Sequence, residues 1–410
     1  MSWPIVKLGE VLTFIRGITF KPEEKIEASH PDAVVCMRTK NIQEELDESD
    51  LIAVPKALVK REELFLRHGD ILISSANSWN LVGKVVQVPR LDYQATAGGF
   101  ISILRPVLDK VLPDYLYLFI NSEQVQHDIR LLGKQTTNIS NLDRKRFLEL
   151  EIPLPPISIQ TRIAEILMQG RALLKQSIQM ESELNLLIQN VFFELFGDPL
   201  NSNNLNNIPF GLILDEIESG WSPKCEDKAA SEGVWGVLKL SAVTQGMYKD
   251  TENKQLPLNL SPKDRIEVKN GDLLFTRKNT KELVATVAYV RKTRPKLMLS
   301  DLIFRFKLKA NKKVSKVYLY GLFSNEKFRG YVQSLASGAA GSMPNISKSK
   351  LWGLNIPLPS YQQQLKYEDI VFALWNELDL LHAIQQEYMS LFDALIQRLF
   401  FSTLEFKSVA

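Results

Sequence analysis

Ile152-Pro153-Leu154-Pro155 stands before a long run of apolar residues at three- and four-residue steps, and the same tetrapeptide returns as Ile356-Pro357-Leu358-Pro359 before a second such run. Proline disfavours the helical region for the residue before it and fixes its own φ, so each tetrapeptide is a stiff extended lead-in after which helix can begin. From Ile159 the first stripe runs through Ile163, Ile166, Leu167, Leu173, Leu174, Ile178, Leu184, Leu187, Ile188, Val191, Phe192 and Leu195. This is helical periodicity. It stops at Phe196-Gly197-Asp198-Pro199, where glycine can take a left-handed cap and proline forbids continuation. The second stripe passes through Ile370, Val371, Leu374, Leu378, Leu381, Ile384, Tyr388, Leu391, Phe392, Leu395 and Leu399. A helix of about 37 residues is roughly 55 Å long, more than packing within one domain requires. The near-heptad spacing predicts that the two helices pack on each other as an intramolecular coiled coil; the alternative is that each packs only on its own domain.

The tetrapeptide is one landmark of a larger duplication. Leu66-Arg67-His68-Gly69-Asp70-Ile71-Leu72 returns 202 residues later as Val268-Lys269-Asn270-Gly271-Asp272-Leu273-Leu274. Gly83-Lys84-Val85-Val86-Gln87-Val88 matches Ala285-Thr286-Val287-Ala288-Tyr289-Val290 at the same offset. Tyr115-Leu116-Tyr117-Leu118-Phe119 resembles Tyr318-Leu319-Tyr320-Gly321-Leu322-Phe323, and Asn138-Ile139-Ser140 is matched with Asn345-Ile346-Ser347. The period is far longer than a solenoid repeat and indicates two duplicated domains. The expected fold class is α+β: two mixed α/β domains, 1–151 and 208–355, joined by two long antiparallel helices in a coiled coil, an internal pseudo-twofold repeat. The first helix and its linker take 152–207, and the second helix takes 356–410.

A chain of 410 residues exceeds what one core sustains, in keeping with two domains. No stretch reaches the roughly 18 apolar residues of a membrane span, and the start has no basic-then-apolar signal, so a cytoplasmic protein without membrane association is expected. The two cysteines, Cys36 and Cys225, stand far apart and suggest reduced, buried thiols. The net charge of +3 conceals an imbalance: residues 208–355 carry 25 Lys and Arg against 14 Asp and Glu, whereas 1–155 carry 19 against 21. A strongly basic domain is the electrostatic footprint of a phosphate-backbone partner. Five acids of the first domain crowd into Glu44-Glu45-Leu46-Asp47-Glu48-Ser49-Asp50 and are expected to face away from such a partner.

Two pairs of matched polar loops carry side chains of the kind that read base edges. After the Gly-Asp strands come Ser74-Ser75-Ala76-Asn77-Ser78-Trp79-Asn80 and Thr276-Arg277-Lys278-Asn279-Thr280-Lys281. Further on lie Gly133-Lys134-Gln135-Thr136-Thr137-Asn138 and Ser337-Gly338-Ala339-Ala340-Gly341-Ser342-Met343-Pro344-Asn345, where small residues let backbone N–H groups approach phosphates. Within them the candidate DNA contacts are Ser74, Ser75, Asn77, Trp79, Asn80, Lys134, Gln135, Thr136, Thr137 and Asn138 in the first half. In the second half they are Thr276, Arg277, Lys278, Asn279, Lys281, Gly338, Gly341, Ser342 and Asn345. Arg16, Lys40, Lys84, Trp221 and Lys239 complete the set as cations and an aromatic suited to phosphates and bases. A shared frame with divergent loops is what two readers of two different sequences require.

Signals for catalysis are absent. His68-Gly69-Asp70 has Asn270 in place of the histidine in its repeat, so it reads as a turn before a strand. There is no HExxH spacing, no phosphate loop at Gly133-Lys134, and no Asn/Asp-Pro-Pro-aromatic run of the amino methyltransferases. Neither a catalytic nor a metal site is expected.

Taken together, Trp3-Pro4-Ile5-Val6-Lys7-Leu8-Gly9-Glu10, the duplicated Gly-Asp turns, the Ile-Pro-Leu-Pro elements before glutamine-rich helices and Phe196-Gly197-Asp198-Pro199 resemble the specificity subunit of type I restriction-modification enzymes. The resemblance spans nearly the whole chain. It implies two target recognition domains, each reading half of a split double-stranded DNA target, with the helices as a ruler. It also implies two modification subunits that methylate adenine N6 with S-adenosylmethionine, and restriction subunits using ATP and Mg, leaving no cofactor in this chain. The alternatives are the specificity partner of a related fused restriction-methyltransferase, a coiled-coil adaptor that binds only proteins, and an enzyme with degenerate motifs.

Overall fold

The computed structural model describes residues 3–135, 140–201, 206–337 and 343–401. Gly69 and Gly271 adopt φ of +86° and +82°, the left-handed region that glycine occupies without strain. The aspartate after each glycine closes the turn: Asp70 accepts the Arg67 N–H at 2.8 Å, and Asp272 accepts that of Lys269 at 2.9 Å. The chain then enters a strand buried on both faces, Ile71–Ser74 in one copy and Leu273–Thr276 in the other.

The chain divides into two units. The first comprises residues up to 176 together with those from 384 on. Its main sheet is antiparallel, in the order Leu12–Arg16, Ile101–Pro106, Ile71–Ser74, Val85–Gln87. A second sheet orders Ala53–Pro55, Ala33–Met37 and Ala95–Ala97, the last pair parallel. Helices Pro113–Ile120 and Glu123–Leu131 cover the main sheet. Ile5–Lys7 pairs with Glu151–Pro153, so the tetrapeptide is a strand of a two-stranded ribbon, a setting that tolerates proline.

The second unit, residues 177–383, repeats each of these parts. Its main sheet orders Leu214–Ser219, Ile303–Leu308, Leu273–Thr276 and Val287–Tyr289. The smaller sheet orders Asn253–Gln255, Gly236–Leu238 and Leu297–Met298, again with one parallel pair. Asn206–Pro209 pairs with Asn355–Leu358.

The same two polar locks hold each tetrapeptide. Tyr115 Oη donates to Pro153 O at 2.7 Å, and Tyr318 Oη to Pro357 O at 2.6 Å. Gln160, fully buried, accepts the Leu112 N–H and donates to Pro155 O; Gln364 accepts the Ser315 N–H and donates to Pro359 O. These bonds satisfy backbone groups that would otherwise be stranded where helix meets strand. The helices that follow are Ile157–Phe196 and Tyr361–Ile396.

Within the first unit the inward positions of these helices are Gln160, Ile163, Leu167, Gly170 and Leu174, then Gln385, Tyr388, Phe392 and Leu395. Tyr388 and Phe392 lie so close over Gly170 that a Cβ there would collide with both. Within the second unit they are Glu181, Leu184, Ile188, Val191 and Leu195, then Gln364, Tyr367, Val371, Leu374, Leu378 and Leu381. There Phe192 meets Tyr367 edge-on, and His382 Nε2 lies 3.0 Å from Glu181. The steps alternate three and four, a heptad pattern. Several residues of the sequence stripe are not part of it: Ile166, Leu173, Ile178, Leu187, Ile384 and Leu391 are exposed. A strict seam is narrower than the apolar face, and small or polar residues such as Gly170 and Glu181 take inward places that an apolar count passes over.

Gly197 caps the first helix at φ +70°, as its sequence implies. The second helix needs no such motif. Its continuation Gln397–Phe401 buries Phe400 against Tyr115 and Phe119, as Phe196 is buried against Tyr318 in the second unit.

One sequence match is displaced. Leu142 N–H donates to Ser75 O and Ile346 N–H to Arg277 O, while Asp143 and Ser347 both cap short helices, Arg144–Leu148 and Lys348–Trp352. The structural counterpart of Asn345-Ile346-Ser347 is therefore Asn141-Leu142-Asp143, not Asn138-Ile139-Ser140.

Candidate nucleic-acid interface

The two loop pairs that the sequence presents separately form one surface in each half. Ala76–Asn77 pairs with Ser140–Asn141, which pairs with Lys134–Gln135. In the second half isolated bridges join Lys278 to Asn345 and Asn345 to Ser337. Sequence spacing holds no trace of the joining of the two loops, because Asn77 and Ser140, like Lys278 and Asn345, lie more than sixty residues apart.

At the start of the strand that leads to each surface, an arginine ties the turn aspartate to neighbouring backbone carbonyls. Arg105 donates through Nε and Nη2 to Asp70 at 2.8 and 2.6 Å and also caps the Glu63 and Phe65 carbonyls. Arg305 contacts Asp272 at 2.8 Å and Glu218, and fills its remaining donors with the Glu267 and Arg265 carbonyls. Burial works to raise the Glu218 carboxyl, but hydrogen bonds and charge from Arg305 and Lys307 outweigh it and hold it below its ordinary value.

The candidate residues divide by what they touch. Asn77, Trp79 and Asn80 lie at the surface of the first half, with Asn77 held by Ser74 Oγ at 3.2 Å. Ser75 Oγ meets Ser102 Oγ at 2.7 Å, and Arg16 stands exposed in register with Ser102. In the second half Lys278 and Lys281 are exposed. Arg277 lies over the Phe304 ring at 5.0 Å and donates from Nε to Asn345 Oδ1 at 3.1 Å. Thr136, Thr137, Asn138, Gly338, Gly341 and Ser342 lie outside the described residues, and of Lys134 and Gln135 the backbone alone is described.

Three other candidates are corrected. Ser74 and Thr276 are buried strand ends, and the Thr276 hydroxyl bonds the Leu283 and Thr286 carbonyls. Asn279 is buried too, its Oδ1 taken by the Thr280 N–H. These three shape the loops from inside and have no access to a base edge. Lys40 is paired with Asp50, Lys84 with Gln43 at 2.7 Å, Lys239 with Glu252, and Trp221 lies beneath Lys263 at 4.3 Å.

The acidic segment does not simply face away. Asp50 holds Arg38 and Lys40, Glu45 holds Lys175, and Glu48 accepts from Tyr93. It neutralises cations of the first half in place. Burial pushes the Cys36 thiol up to about 12 and also raises Cys225, which fits inert thiols.

Sequence reasoning passed over two cations beside the loops. Arg144 lies 5.5 Å over Phe14, and Lys348, its counterpart, 5.7 Å over Phe304. The signal was available in the basic runs Arg144-Lys145-Arg146 and Lys348-Ser349-Lys350.

The family described as the type I restriction modification DNA specificity domain matches residues 2–184 and 223–388. Among curated proteins, the EcoEI specificity subunit of Escherichia coli is 37% identical over 190 residues, 45% of this chain and 32% of that protein. The EcoKI specificity subunit of E. coli strain K12 is 25% identical over 379 residues, 88% of this chain and 80% of that one. The crystal structure of the S subunit from M. genitalium superposes with a TM-score of 0.56 at 17% identity, covering 98% of this chain and 96% of the other. At that identity the likeness shows the fold.

Proposed function

The chain belongs to the type I restriction modification DNA specificity family, and on that footing we propose that it reads a split DNA target, one half-site per domain, without chemistry of its own. The observation that carries the reading is the duplicated frame. In each half, two paired loops follow a strand whose entering turn is tied by an Asp-Arg pair, and their outward residues are unrelated. A frame kept twice with its face changed twice suits two base sequences. The excess of cations in residues 208–355 supports phosphate contact there.

The long helices act as a ruler in this reading. An antiparallel coiled coil is supported within each unit, where early residues of one helix meet late residues of the other, Gly170 with Phe392 and Tyr367 with Phe192. A helix of 40 residues reaches about 60 Å, enough to hold two readers about one DNA turn of 34 Å apart or somewhat more. Their outward faces expose Leu173, Ile178, Met180, Leu186, Leu380 and Leu391, apolar surface suited to protein partners. Those partners are two modification subunits, which supply adenine methylation with S-adenosylmethionine, and restriction subunits using ATP and Mg, all in the cytoplasm.

Selection from a random duplex library by this chain bound to its modification subunit tests the proposal. The expected outcome is two short specified blocks at a fixed gap. Recovery of one continuous block, or of no motif despite assembly, contradicts it.

A further inference from the structure

Among the described candidates, Arg277 is the one base contact whose side chain is aimed by three independent restraints. Its backbone is fixed on both sides, since its N–H donates to Leu302 O at 3.0 Å and its carbonyl accepts from Ile346 N–H at 2.9 Å. The guanidinium is supported by the Phe304 ring at 5.0 Å and steered by Asn345 Oδ1, which takes the Nε proton at 3.1 Å. Phe304 is itself 1% exposed, a strand residue of the main sheet, so the support is rigid. Among the described residues nothing accepts from the two Nη groups. A planar fork with Nε occupied and both terminal nitrogens free matches the paired O6 and N7 acceptors of a guanine edge.

The contrast with Arg305 sharpens the point. Arg305 is 6% exposed in its side chain, and its donors are filled by two carboxylates and two carbonyls, as expected of an arginine that holds structure. No carboxylate pairs with Arg277 among the described residues. Its counterpart in the first half is Ser75, whose hydroxyl is closed against Ser102, the counterpart of Phe304. The first half has no arginine at this place.

We infer that Arg277 is the guanine-reading residue of the second domain, with Asn345 as its positioning residue. This rests on the reading of the chain as a bipartite DNA reader and adds which base one position demands. Lys278 and Lys348 beside it supply charge for the phosphates, which carries no sequence information.

The test repeats the library selection with the full chain and its modification subunit, for wild type, Arg277→Ala, Arg277→Lys and Asn345→Ala. Competition between duplexes differing at single base pairs then measures each preference. The wild type is expected to specify at least one G·C pair that becomes degenerate in Arg277→Ala, with the preference for guanine falling roughly five- to a hundred-fold. Arg277→Lys keeps the charge and loses the fork, so the same pair loses preference while overall affinity holds better than in Arg277→Ala. Asn345→Ala weakens that same preference by less. If both arginine variants recover the wild-type motif with affinity lowered evenly, Arg277 is a phosphate contact and the inference is overturned. The bipartite reading then stands. If the wild type itself yields no split motif, that reading fails and takes the inference with it. Thermal unfolding of each variant shows whether a lost motif reflects a lost fold.

Discussion

In the first unit Arg105 answers a single carboxylate, Asp70, whereas in the second Arg305 answers two, Asp272 and Glu218. The two arginines reach matched aspartates from strand positions two residues apart: Arg105 faces Thr13, and Arg305, at the place of Ile103, faces Glu218. At the loop above, a serine hydroxyl pair stands where the other half lays an arginine across a phenylalanine. Around these differences the turn glycines, the tyrosine and glutamine locks, and the sheet order are the same. The repeat keeps what fixes where a loop begins and ends, and it varies what that loop presents. That separation lets one fold be used twice for two sequences.

The strongest way to break the equivalence is to empty the matched aromatic sockets. Phe196→Ala, at the end of the first helix, removes contacts with Tyr318 and Tyr367; Phe400→Ala removes those with Tyr115 and Phe119. Each is expected to cost about 3–5 kcal/mol in denaturant unfolding. A near-neutral Phe400→Ala shows that the two helix ends are not equivalent.

Glu218→Gln tests the extra carboxylate and is expected to cost about 1.5–3 kcal/mol near neutral pH, as a lost charged hydrogen bond. Because the folded Glu218 carboxyl lies below its ordinary value, its contribution is complete above about pH 4.5 and fades as pH falls through the lower folded value. The gap between wild type and variant should therefore close on acidification. A gap that widens at low pH contradicts the pairing.

Gly69→Ala and Gly271→Ala compare the two turns. Both force a side chain into left-handed backbone, at a cost of about 1–2 kcal/mol. Gly69→Ala should be the worse, because its Cβ meets Pro113 at 3.0 Å while Gly271 has 3.8 Å to Tyr289 Oη. Melting temperatures of the pair decide it.

The smallest effect separates free from neutralised cations. Lys278→Ala is expected to reduce the salt slope of DNA binding by about 0.9. Lys40→Ala should leave it nearly unchanged, since Asp50 already pairs that ammonium. Equal slopes for the two variants would mean that the acidic segment moves aside when DNA binds.

The duplication, the helix starts and the first helix stop were legible because they rest on local chemistry: proline before the helices, glycine at Gly69, Gly197 and Gly271, and three- and four-residue apolar steps. The seam was legible only in outline, because Gly170, Ser177 and Glu181 face inward without being apolar. Within the candidate site, the loops could be picked out by composition, but not their joining, which depends on strand pairing across the domain. Nor could sequence separate Thr276, turned into the sheet, from Arg277 beside it, turned out across Phe304. The three-residue slip at Asn138-Ile139-Ser140 has the same origin. Short matches fix a register poorly, and the caps at Asp143 and Ser347 fix it well.

The central claim, that this chain makes adenine methylation specific for a split sequence, is tested most directly by the methylome of cells carrying the modification subunit with and without it. The account predicts adenine methylation at one motif of two short blocks across a fixed gap, present only with this chain. Methylation that is unchanged by adding the chain, while the two proteins still assemble, would contradict it.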